Sequence, residues 1–339
     1  MSRAEKPLLA LTMGDPGGIG PEITLRLLAK KRSRRERLLV VGDREYLAAV
    51  ARKLRLPAPP PIVGSADEMK RRRLAAAVLQ VGSLGTRPRF GGPDAGMGKA
   101  SLSYIDAAIE LAATGAVDGI VTCPVSKEAV QHSMPGFTGH TGHLAERLGA
   151  HRVVMMLAGG GLRVGLVTSH LSLRDALGSL SVGSIVEAGL VMDASLRLRF
   201  GIRRPRIAVA AVNPHASESG LFGDTERRVI APAVRQLVKR GVRASGPEVA
   251  DVVFCRQLAG EFDAVLAMYH DQGCIPVKTL AFESGVNVTL GLPVVRTSPD
   301  HGTAFDIAGK GVASESSLLA AVRTAALMCR LEARKRGEQ

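Results

Sequence analysis

Tryptophan is absent from this chain of 339 residues, and aromatic residues make up only 3% of it. Such a chain offers few of the platforms on which proteins stack single-stranded nucleic acid. The four cysteines are dispersed and form no CxxC pair, which argues against a zinc ribbon and a disulfide framework. No apolar run approaches the roughly 20 residues that cross a bilayer, and no signal-peptide core follows the N-terminal residues. We therefore expect a cytoplasmic protein with reduced thiols and no membrane partner.

Acidic residues are few relative to basic ones, since 31 Asp and Glu against 45 Lys and Arg give a net charge of +14. The basic residues bunch at Lys30–Arg37 and Lys70–Arg73, and again near the C-terminus. No nucleic-acid-binding motif accompanies them, and charge alone supports only non-specific binding. We interpret the charge as a solvated arginine-rich surface that is compatible with anionic metabolites. We expect no specific nucleic-acid partner.

The order of apolar and amphipathic segments predicts an α/β fold. Strand-like runs alternate with helical patterns, beginning with Leu8–Met13, Pro21–Lys30, Leu38–Gly42 and Arg44–Leu54. Such alternation is typical of a mostly parallel sheet covered by helices. Further helices are expected at Lys99–Thr114, Val182–Phe200 and Ser314–Arg334. We expect one two-lobed unit in which the chain crosses between intertwined lobes near residues 82–98 and 300–312.

Three histidines share one sequence context, because each lies in a loop of small residues after an apolar, strand-like run. They are His170, His215 and His270, and they follow Leu162–Thr168, Ile207–Val212 and Ala264–Met268. Their wide spacing excludes a local zinc finger and a helical HExxH motif, so distant strands would have to converge. Three imidazoles suit a catalytic divalent metal that keeps one coordination position open. Each histidine alone could instead be a hydrogen-bonded residue at a strand end.

Two loops contain candidate anion-binding groups. The segment Met13–Glu22 reads MGDPGGIGPE, and its glycines would let backbone amides approach a ligand, although a generic strand-to-helix turn explains them equally well. His140 and Thr141 stand just before a short helical pattern and can hydrogen-bond to a carboxylate or phosphate. Thr141 could instead cap that helix.

Three polar residues in apolar surroundings follow His270, namely Lys278, Asn287 and Arg296. A buried cation needs a partner, and a substrate phosphate or carboxylate would supply one. Internal salt bridges are the alternative. Acid–base candidates are Lys127 at a strand end, Asp251 at a helix start and His301 in a loop, and each could equally be an ordinary surface or capping residue.

Seven motifs together resemble a known family, the 4-hydroxythreonine-4-phosphate dehydrogenases and their relatives that act on sugar-acid phosphates. In chain order they are MGDPGGIGPE, TGHT, VTSHLSLRDA, NPHASESGLFG, LAMYHDQG, GVNVTLGLP and RTSPDHGTAFDIAGKG. They extend from the first strand to about Gly311, nearly the whole chain.

The resemblance implies a two-lobed α/β/α fold similar to isocitrate and isopropylmalate dehydrogenases, and a homodimer with the active site at its interface. It implies that His170, His215 and His270 bind a divalent metal with ligands from both subunits. His140, Thr141, Lys278, Asn287 and Arg296 would contact substrate. NAD or NADP would be the oxidant, held by residues that the sequence does not identify.

The implied reaction oxidises 4-phosphohydroxy-L-threonine to a 3-oxo acid, which decarboxylates to 3-amino-2-oxopropyl phosphate in pyridoxine 5'-phosphate biosynthesis. The metal stays open among Zn, Mg, Mn and Co. Where many relatives read GHTE, this chain has Gly142 and therefore lacks an acid that could meet a substrate amino group. D-threonate or D-erythronate 4-phosphate is thus an alternative substrate. A metal-dependent hydrolase and a basic nucleic-acid-binding protein are further alternatives.

Overall fold

A computed structural model describes residues 6–30 and 35–337. The chain divides into two compact units, the first formed by residues 1–149 and 293–330 and the second by residues 150–292 and 331–339. The chain thus passes between units at 149–150, 292–293 and 330–331. The segments near 82–98 and 300–312, where crossings were expected, both lie within the first unit. Part of the basic segment Lys30–Arg37 falls outside the described residues.

The strands, in chain order, are β1 (Leu8–Thr12), β2 (Arg37–Gly42), β3 (Ile62–Val63), β4 (Ala76–Gln80), β5 (Gly119–Thr122), β6 (Val154–Gly159), β7 (Leu162–Leu166), β8 (Arg206–Ala210), β9 (Arg243–Glu248), β10 (Ala264–Ala267), β11 (Val286–Leu290) and β12 (Val295–Pro299).

The helices, in chain order, are α1 (Gly20–Ala29), α2 (Arg44–Leu54), α3 (Ala66–Arg71), α4 (Ala95–Ala113), α5 (Lys127–Gln131), α6 (His140–Arg147), α7 (Leu173–Ser179), α8 (Val182–Arg199), α9 (Ala231–Lys239), α10 (Ala250–Leu258), α11 (His270–Ala281) and α12 (Ser316–Gly337). A tight turn segment at Pro214–Gly220 and a π-helical turn at Glu226–Ile230 precede α9.

The first unit contains a parallel sheet in the strand order β3-β4-β2-β1-β5-β12. Strand β1 lies inside this sheet, with Leu9 opposite Leu38 of β2 and Gly119 of β5. All five residues of β1 are buried. Burial on both faces is the property of a central parallel strand, and it explains why five of the six residues of Leu8–Met13 are apolar.

The second unit contains strands in the order β11-β6-β7-β10-β8-β9. Strand β6 pairs antiparallel with both β11 and β7, whereas β7, β10, β8 and β9 run parallel to one another. Val253 of α10 and Val277 of α11 pack with the strand residues Val164 and Val265 in one buried apolar cluster. The expected α/β class with a mostly parallel sheet is confirmed in each unit.

Helix α4 begins earlier than expected, at Ala95 rather than Lys99. The Asp94 side chain accepts a hydrogen bond from the backbone N–H of Met97 and so caps the first turn. Gly98 lies inside this helix, and a Cβ there would lie 2.0 Å from the Ala129 carbonyl oxygen of α5. Glycine at this position therefore lets α4 and α5 touch.

No single helix in the described ranges is long and apolar enough to span a bilayer. The pair α7 and α8 reaches the necessary hydropathy only when taken together, and these helices are bent by 91° to each other.

Candidate active site

The three histidines of the second unit follow neighbouring strands. Strands β7, β10 and β8 lie side by side and run parallel, so their carboxyl ends share one edge of the sheet. His170 follows β7, His270 follows β10 and His215 follows β8. Convergence of distant strands therefore brings all three histidines to the same edge.

The rings of His170 and His270 lie next to each other. Their centroids are 5.7 Å apart and their planes are inclined by 39°. His270 begins α11, and its Nδ1 atom lies 2.6 Å from Oδ1 of Asp271. When a carboxylate accepts a hydrogen bond from Nδ1, Nε2 is the nitrogen left for a metal. The pair therefore fits two nitrogen ligands of a divalent cation.

His215 lies in an uncommon backbone conformation. Residues 215–219 all have φ between 40° and 75°, although none is glycine. A left-handed conformation costs such residues roughly 1–2 kcal/mol each. The His215 ring is 6.2 Å from that of Phe222. Within the described residues of one chain, no group of three or more His, Cys, Asp or Glu is placed to hold a metal ion. One chain thus pairs His170 with His270 and does not add His215 to them.

A buried carboxylate holds the segment that leads to His215. Glu226 accepts hydrogen bonds from the backbone N–H groups of Val212 and Asn213 at 2.8 and 2.7 Å, and from Nδ2 of Asn213 at 2.8 Å. Burial alone would raise the pKa of Glu226, but these donors outweigh it and hold the pKa below its usual 4.5. Sequence reasoning missed Glu226, because nothing in the local pattern separates it from a surface acid.

In the first unit, positive groups gather at the amino end of α6. Gly139 precedes this helix with a φ of 127°, and no side chain caps the helix. A Cβ on Gly139 would lie 3.2 Å from Cε and 3.9 Å from Nζ of Lys127. Thr141 lies inside α6 and is therefore not its N-cap. An uncapped helix start beside a lysine is favourable for an anion.

His140, the first residue of α6, is a neutral donor or acceptor in this arrangement. Burial, together with the positive charge of Arg296 and the neighbouring His143 and Lys127, lowers the pKa of His140 well below its usual 6.5. Its Nε2 atom is buried, and no hydrogen-bond partner lies within its reach in the described part of the chain. A buried polar atom without a partner is costly, so this nitrogen is suited to contact a ligand.

Arg296 places a cation inside the first unit. It is the second residue of β12 and 2% exposed, and its Nη2 donates to Oγ1 of Thr122 at 2.7 Å. Burial lowers the pKa of Arg296 to about 10, so the guanidinium keeps its charge near neutral pH. Because a buried guanidinium is stabilised by bidentate contact with phosphate or carboxylate, Arg296 fits an anionic ligand.

A histidine that sequence reasoning left without a role joins α6 to α4. His143 is 7% exposed, and its Nε2 lies 2.7 Å from Oδ1 of Asp106. The ring of Phe137 packs against His143 edge to face, with centroids 5.9 Å apart. This contact fixes the helix whose first residue is His140. The position of His143 directly after Gly142 was its only signal in the sequence.

Comparison with known proteins decides the family. The profile of the family described as "Pyridoxal phosphate biosynthetic protein PdxA" matches residues 34–325. The chain belongs to this family. The curated 4-hydroxythreonine-4-phosphate dehydrogenase of Desulfosudis oleivorans is 45% identical over 322 residues, which are 94% of this chain and 94% of the relative. The resemblance inferred from the seven motifs is thereby confirmed.

Solved structures share the fold of this PdxA-family chain. A 4-hydroxythreonine-4-phosphate dehydrogenase from Burkholderia phymatum is 42% identical and superposes with a TM-score of 0.83, covering 96% of this chain and 98% of that one. A terephthalate 1,2-cis-dihydrodiol dehydrogenase from Burkholderia xenovorans is 33% identical with a TM-score of 0.65, covering 95% of this chain and 98% of that one.

The glycine-rich loop after β1 packs against protein in this PdxA-family chain. A Cβ on Gly14 would lie 2.5 Å from the Pro124 carbonyl oxygen, and one on Gly20 would lie 2.3 Å from that of Met13. Asp15 is 1% exposed and accepts from the backbone N–H groups of Gly17 and Ser126 at 2.8 and 3.3 Å. At Gly14 and Gly20 the small residue therefore permits close packing of the loop, and Asp15 ties the loop to the start of α5.

The remaining candidates of this PdxA-family chain lie at several places. The expectation that Lys278 lies in apolar surroundings is wrong, because Lys278 is exposed on α11. Asn287 is half-buried on β11 with an Oδ1 atom that no described donor reaches. Asp251 is exposed in the first turn of α10, whose N-cap is Val249. His301 is exposed after β12, with Nδ1 3.0 Å from the Gly302 carbonyl oxygen. These four residues stay candidates.

Proposed function

We propose that this chain is a metal- and NAD(P)-dependent dehydrogenase that oxidises 4-phosphohydroxy-L-threonine to a 3-oxo acid. Loss of carbon dioxide from that acid gives 3-amino-2-oxopropyl phosphate, in the cytoplasmic biosynthesis of pyridoxine 5'-phosphate. The observation that carries the proposal is the buried guanidinium of Arg296 beside neutral His140 and Lys127, a set that suits a phosphorylated acid. Membership of the PdxA family supports the same reaction.

The substrate anion is assigned to the first unit. Arg296 supplies a forked cation, His140 a neutral nitrogen, and the uncapped start of α6 its backbone N–H groups, with Thr141 adding a hydroxyl. We carry Lys278 and Asn287 forward as further substrate contacts. Oδ1 of Asn287 has no hydrogen-bond donor among the described residues, and a hydroxyl or amino group of the ligand could donate to it. This supports the assignment of Asn287 as a substrate contact.

His170, His270 and His215 are the proposed metal ligands. The adjacent rings of His170 and His270 supply two nitrogens, and the Asp271 carboxylate orients the second ring. Since a single chain does not add His215 to the pair, we assign the third ligand to a second copy of the chain. When bound, a cation such as Zn, Mg, Mn or Co polarises a substrate oxygen, and NAD or NADP accepts hydride.

A homodimer is supported by exposed apolar side chains next to the histidines. Leu171 and Leu173, just after His170, are 51% and 56% exposed, and Leu221, in the segment after His215, is 72% exposed. Large apolar residues grouped on one surface are a property of interfaces between chains. We assign these residues to the interface at which His215 of one copy would meet the histidine pair of the other.

Proton transfer is assigned to Lys127, with Asp251 and His301 as the other candidates. Lys127 lies at the first turn of α5 and approaches Gly139, so its Nζ is near the proposed substrate anion. A lysine in that place, as the neutral amine, can take the proton of a substrate hydroxyl as the carbon–hydrogen bond gives up hydride; the resulting ammonium can return the proton after carbon dioxide leaves.

The proposal is tested by steady-state assays of 4-phosphohydroxy-L-threonine, D-threonate 4-phosphate and D-erythronate 4-phosphate. Each is assayed with metal-free and metal-restored enzyme and with NAD and NADP, by the near-ultraviolet absorbance of the reduced nicotinamide. We expect metal-dependent nicotinamide reduction that is fastest with the threonine derivative. Phosphate release without nicotinamide reduction would identify a metal-dependent hydrolase and overturn the proposal.

A second candidate substrate class is favoured by one observation at α6. No acidic residue stands in the first turn of this helix, because Gly142 occupies that place. Without a carboxylate for an amino group, D-threonate or D-erythronate 4-phosphate becomes the alternative. Gly142→Glu should raise kcat/KM for the amino substrate relative to the amino-free ones by about tenfold, the effect of one added charged contact. Gly142→Gln, which adds similar bulk without charge, is the control. An equal effect of both changes would count against a charge-based preference.

A further inference from the structure

The opposite edge of the second unit contains a cavity that the proposed reaction does not use. It has a volume of about 490 Å³ and is lined by residues that include Arg206, Arg243, Ser245 and Phe262. These residues stand at or near the amino ends of β8, β9 and β10, whereas the three histidines follow the carboxyl ends of β7, β8 and β10. The volume lies within the roughly 300–1,000 Å³ of pockets that hold small molecules.

Two arginines meet at this cavity in paired register. Arg206 of β8 lies opposite Arg243 of β9 in the parallel pair. Arg206 is neutralised by Asp263, whose two carboxylate oxygens accept from its Nε and Nη2 at 3.1 Å each. No described acidic side chain forms an ion pair with Arg243. The cavity wall therefore holds one guanidinium, that of Arg243, without an ion-pair partner among the described residues.

The other acid at the cavity is Glu261, which shares the Arg256 guanidinium with Glu248. Glu261 accepts from Nε of Arg256 at 2.9 Å, and that guanidinium also lies 4.8 Å from the centroid of the Phe262 ring. Residues close in sequence to the cavity lining add more positive charge. They are Arg203, Arg204, Lys239 and Arg240, and all four are exposed. An anion from outside the chain would therefore find Arg243 available for an ion pair.

The cavity walls also contain apolar side chains and a hydroxyl group. Val238, Val242 and Phe262 give one side an apolar surface. Ser245 also lines the cavity, and its Oγ is buried with no hydrogen-bond partner among the described residues. A buried hydroxyl without a partner is costly, so a ligand acceptor at Ser245 would be stabilising. Apolar walls, a hydroxyl without a hydrogen-bond partner and a guanidinium without an ion pair together suit a small molecule that has both an anionic group and an apolar group.

We propose that this cavity binds a small organic anion, with its phosphate or carboxylate on Arg243 and Ser245 and its apolar part against Val238, Val242 and Phe262. The site is separate from the proposed active site. Its concave, partly apolar wall favours a small molecule. A nucleic acid would need only basic charge along its extended backbone, and a convex basic surface supplies that equally well.

The test measures chemical modification of Arg243 in the intact protein. Phenylglyoxal reacts with accessible arginines, and peptide mass spectrometry gives the rate at each one. Phenyl phosphate is the probe, and Arg323, exposed on α12, is the internal reference. We expect saturating phenyl phosphate to slow modification of Arg243 at least about fivefold and to leave Arg323 unchanged, with weaker protection by inorganic phosphate, which lacks the apolar group.

Two variants separate the cavity from general charge. Ser245→Ala should raise the phenyl phosphate concentration for half protection about tenfold, because one hydrogen bond to an anion is lost. Val238→Asp, at an exposed wall position, should abolish protection without disturbing the core.

A third variant, His140→Ala, should leave protection of Arg243 intact, so failure of this proposal is distinct from failure of the proposed function. Equal protection by phenyl and inorganic phosphate, equal effects on Arg243 and Arg323, or protection by duplex DNA alone would overturn the proposal.

Discussion

Nε2 of His143 lies 2.7 Å from Oδ1 of Asp106, and this contact joins α6 to α4. The same helix begins with His140, whose buried Nε2 is offered to a ligand. A contact one helical turn away thus sets the position of the proposed anion-binding residue. His143 and Asp106 are positioning residues, since neither has been assigned a contact with substrate.

Asp106→Asn should raise KM for the phosphorylated substrate and change kcat little. The variant keeps the size of the side chain but removes the charge that holds His143, which we expect to weaken substrate binding about tenfold. Asp67→Asn is the control, because Asp67 pairs with Lys70 at 3.7 Å on an exposed helix. If KM changes equally in both variants, or if kcat alone falls, the positioning role of Asp106 is wrong.

Arg296→Lys should weaken binding of the phosphate even though the charge is retained. Lysine lacks the planar fork with which arginine can contact a phosphate through two nitrogens, and its single nitrogen would have to serve both the phosphate and Thr122. We expect KM for the phosphorylated substrate to rise by about tenfold or more, as for loss of one charged hydrogen bond. The substrate without its phosphate should be affected much less. An equal loss for both compounds would indicate that Arg296 serves another part of the substrate, and Arg323→Lys provides the control for folding.

Mixed dimers test whether His215 completes the metal site of a second copy. Neither His170→Ala nor His215→Ala should be active alone. Co-expressed in equal amounts, they should regain about a quarter of wild-type activity and bound metal, because half of the dimers are mixed and one of two sites in each is intact. His170→Ala with His270→Ala should recover neither, since each site then lacks one ring of the pair. Recovery in this control, or none in the test mixture, would refute a shared site.

Glu226→Gln should destabilise the protein most at neutral pH and least in acid. Because the folded-state pKa of Glu226 is lowered, its carboxylate stabilises the fold above its ordinary pKa of 4.5, and this stabilisation is lost as pH falls through the folded value. At neutral pH we expect the unfolding free energy to fall by about 1–3 kcal/mol. Denaturant unfolding at both pH values measures the difference, with Glu283→Gln, at an exposed position, as the control. A loss independent of pH would contradict the role of the charge.

Much of the fold follows from local patterns. Helix α2 has the bounds expected for it, Arg44–Leu54, because Asp43 caps its first turn and an apolar period continues to its end. The apolar runs before His170, His215 and His270 form strands, since continuous burial in a parallel sheet demands them. Helix α4 departs from expectation, because Gly98 is explained by close contact with α5 and no single-segment pattern contains that contact.

The sequence predicted which residue types form the candidate site, but it did not predict which residues they contact. His140 and Arg296 stood out in the sequence because polar residues in apolar or glycine-rich surroundings need partners. Glu226 and Asp106 did not stand out, because acids of this kind usually lie on the surface. Their roles arise from donors that the fold brings to them.

The sequence by itself determined the α/β class, the family and the strand ends at which the histidines stand, because periodicity, turn residues and motifs are properties of neighbouring positions. Only the tertiary structure decided which charges are buried and what they contact. Asp106 and His143 are 37 residues apart in the chain, and Thr122 and Arg296 are 174 apart. Hydrogen bonding and pKa depend on distances of a few ångströms, and for such pairs folding alone sets those distances.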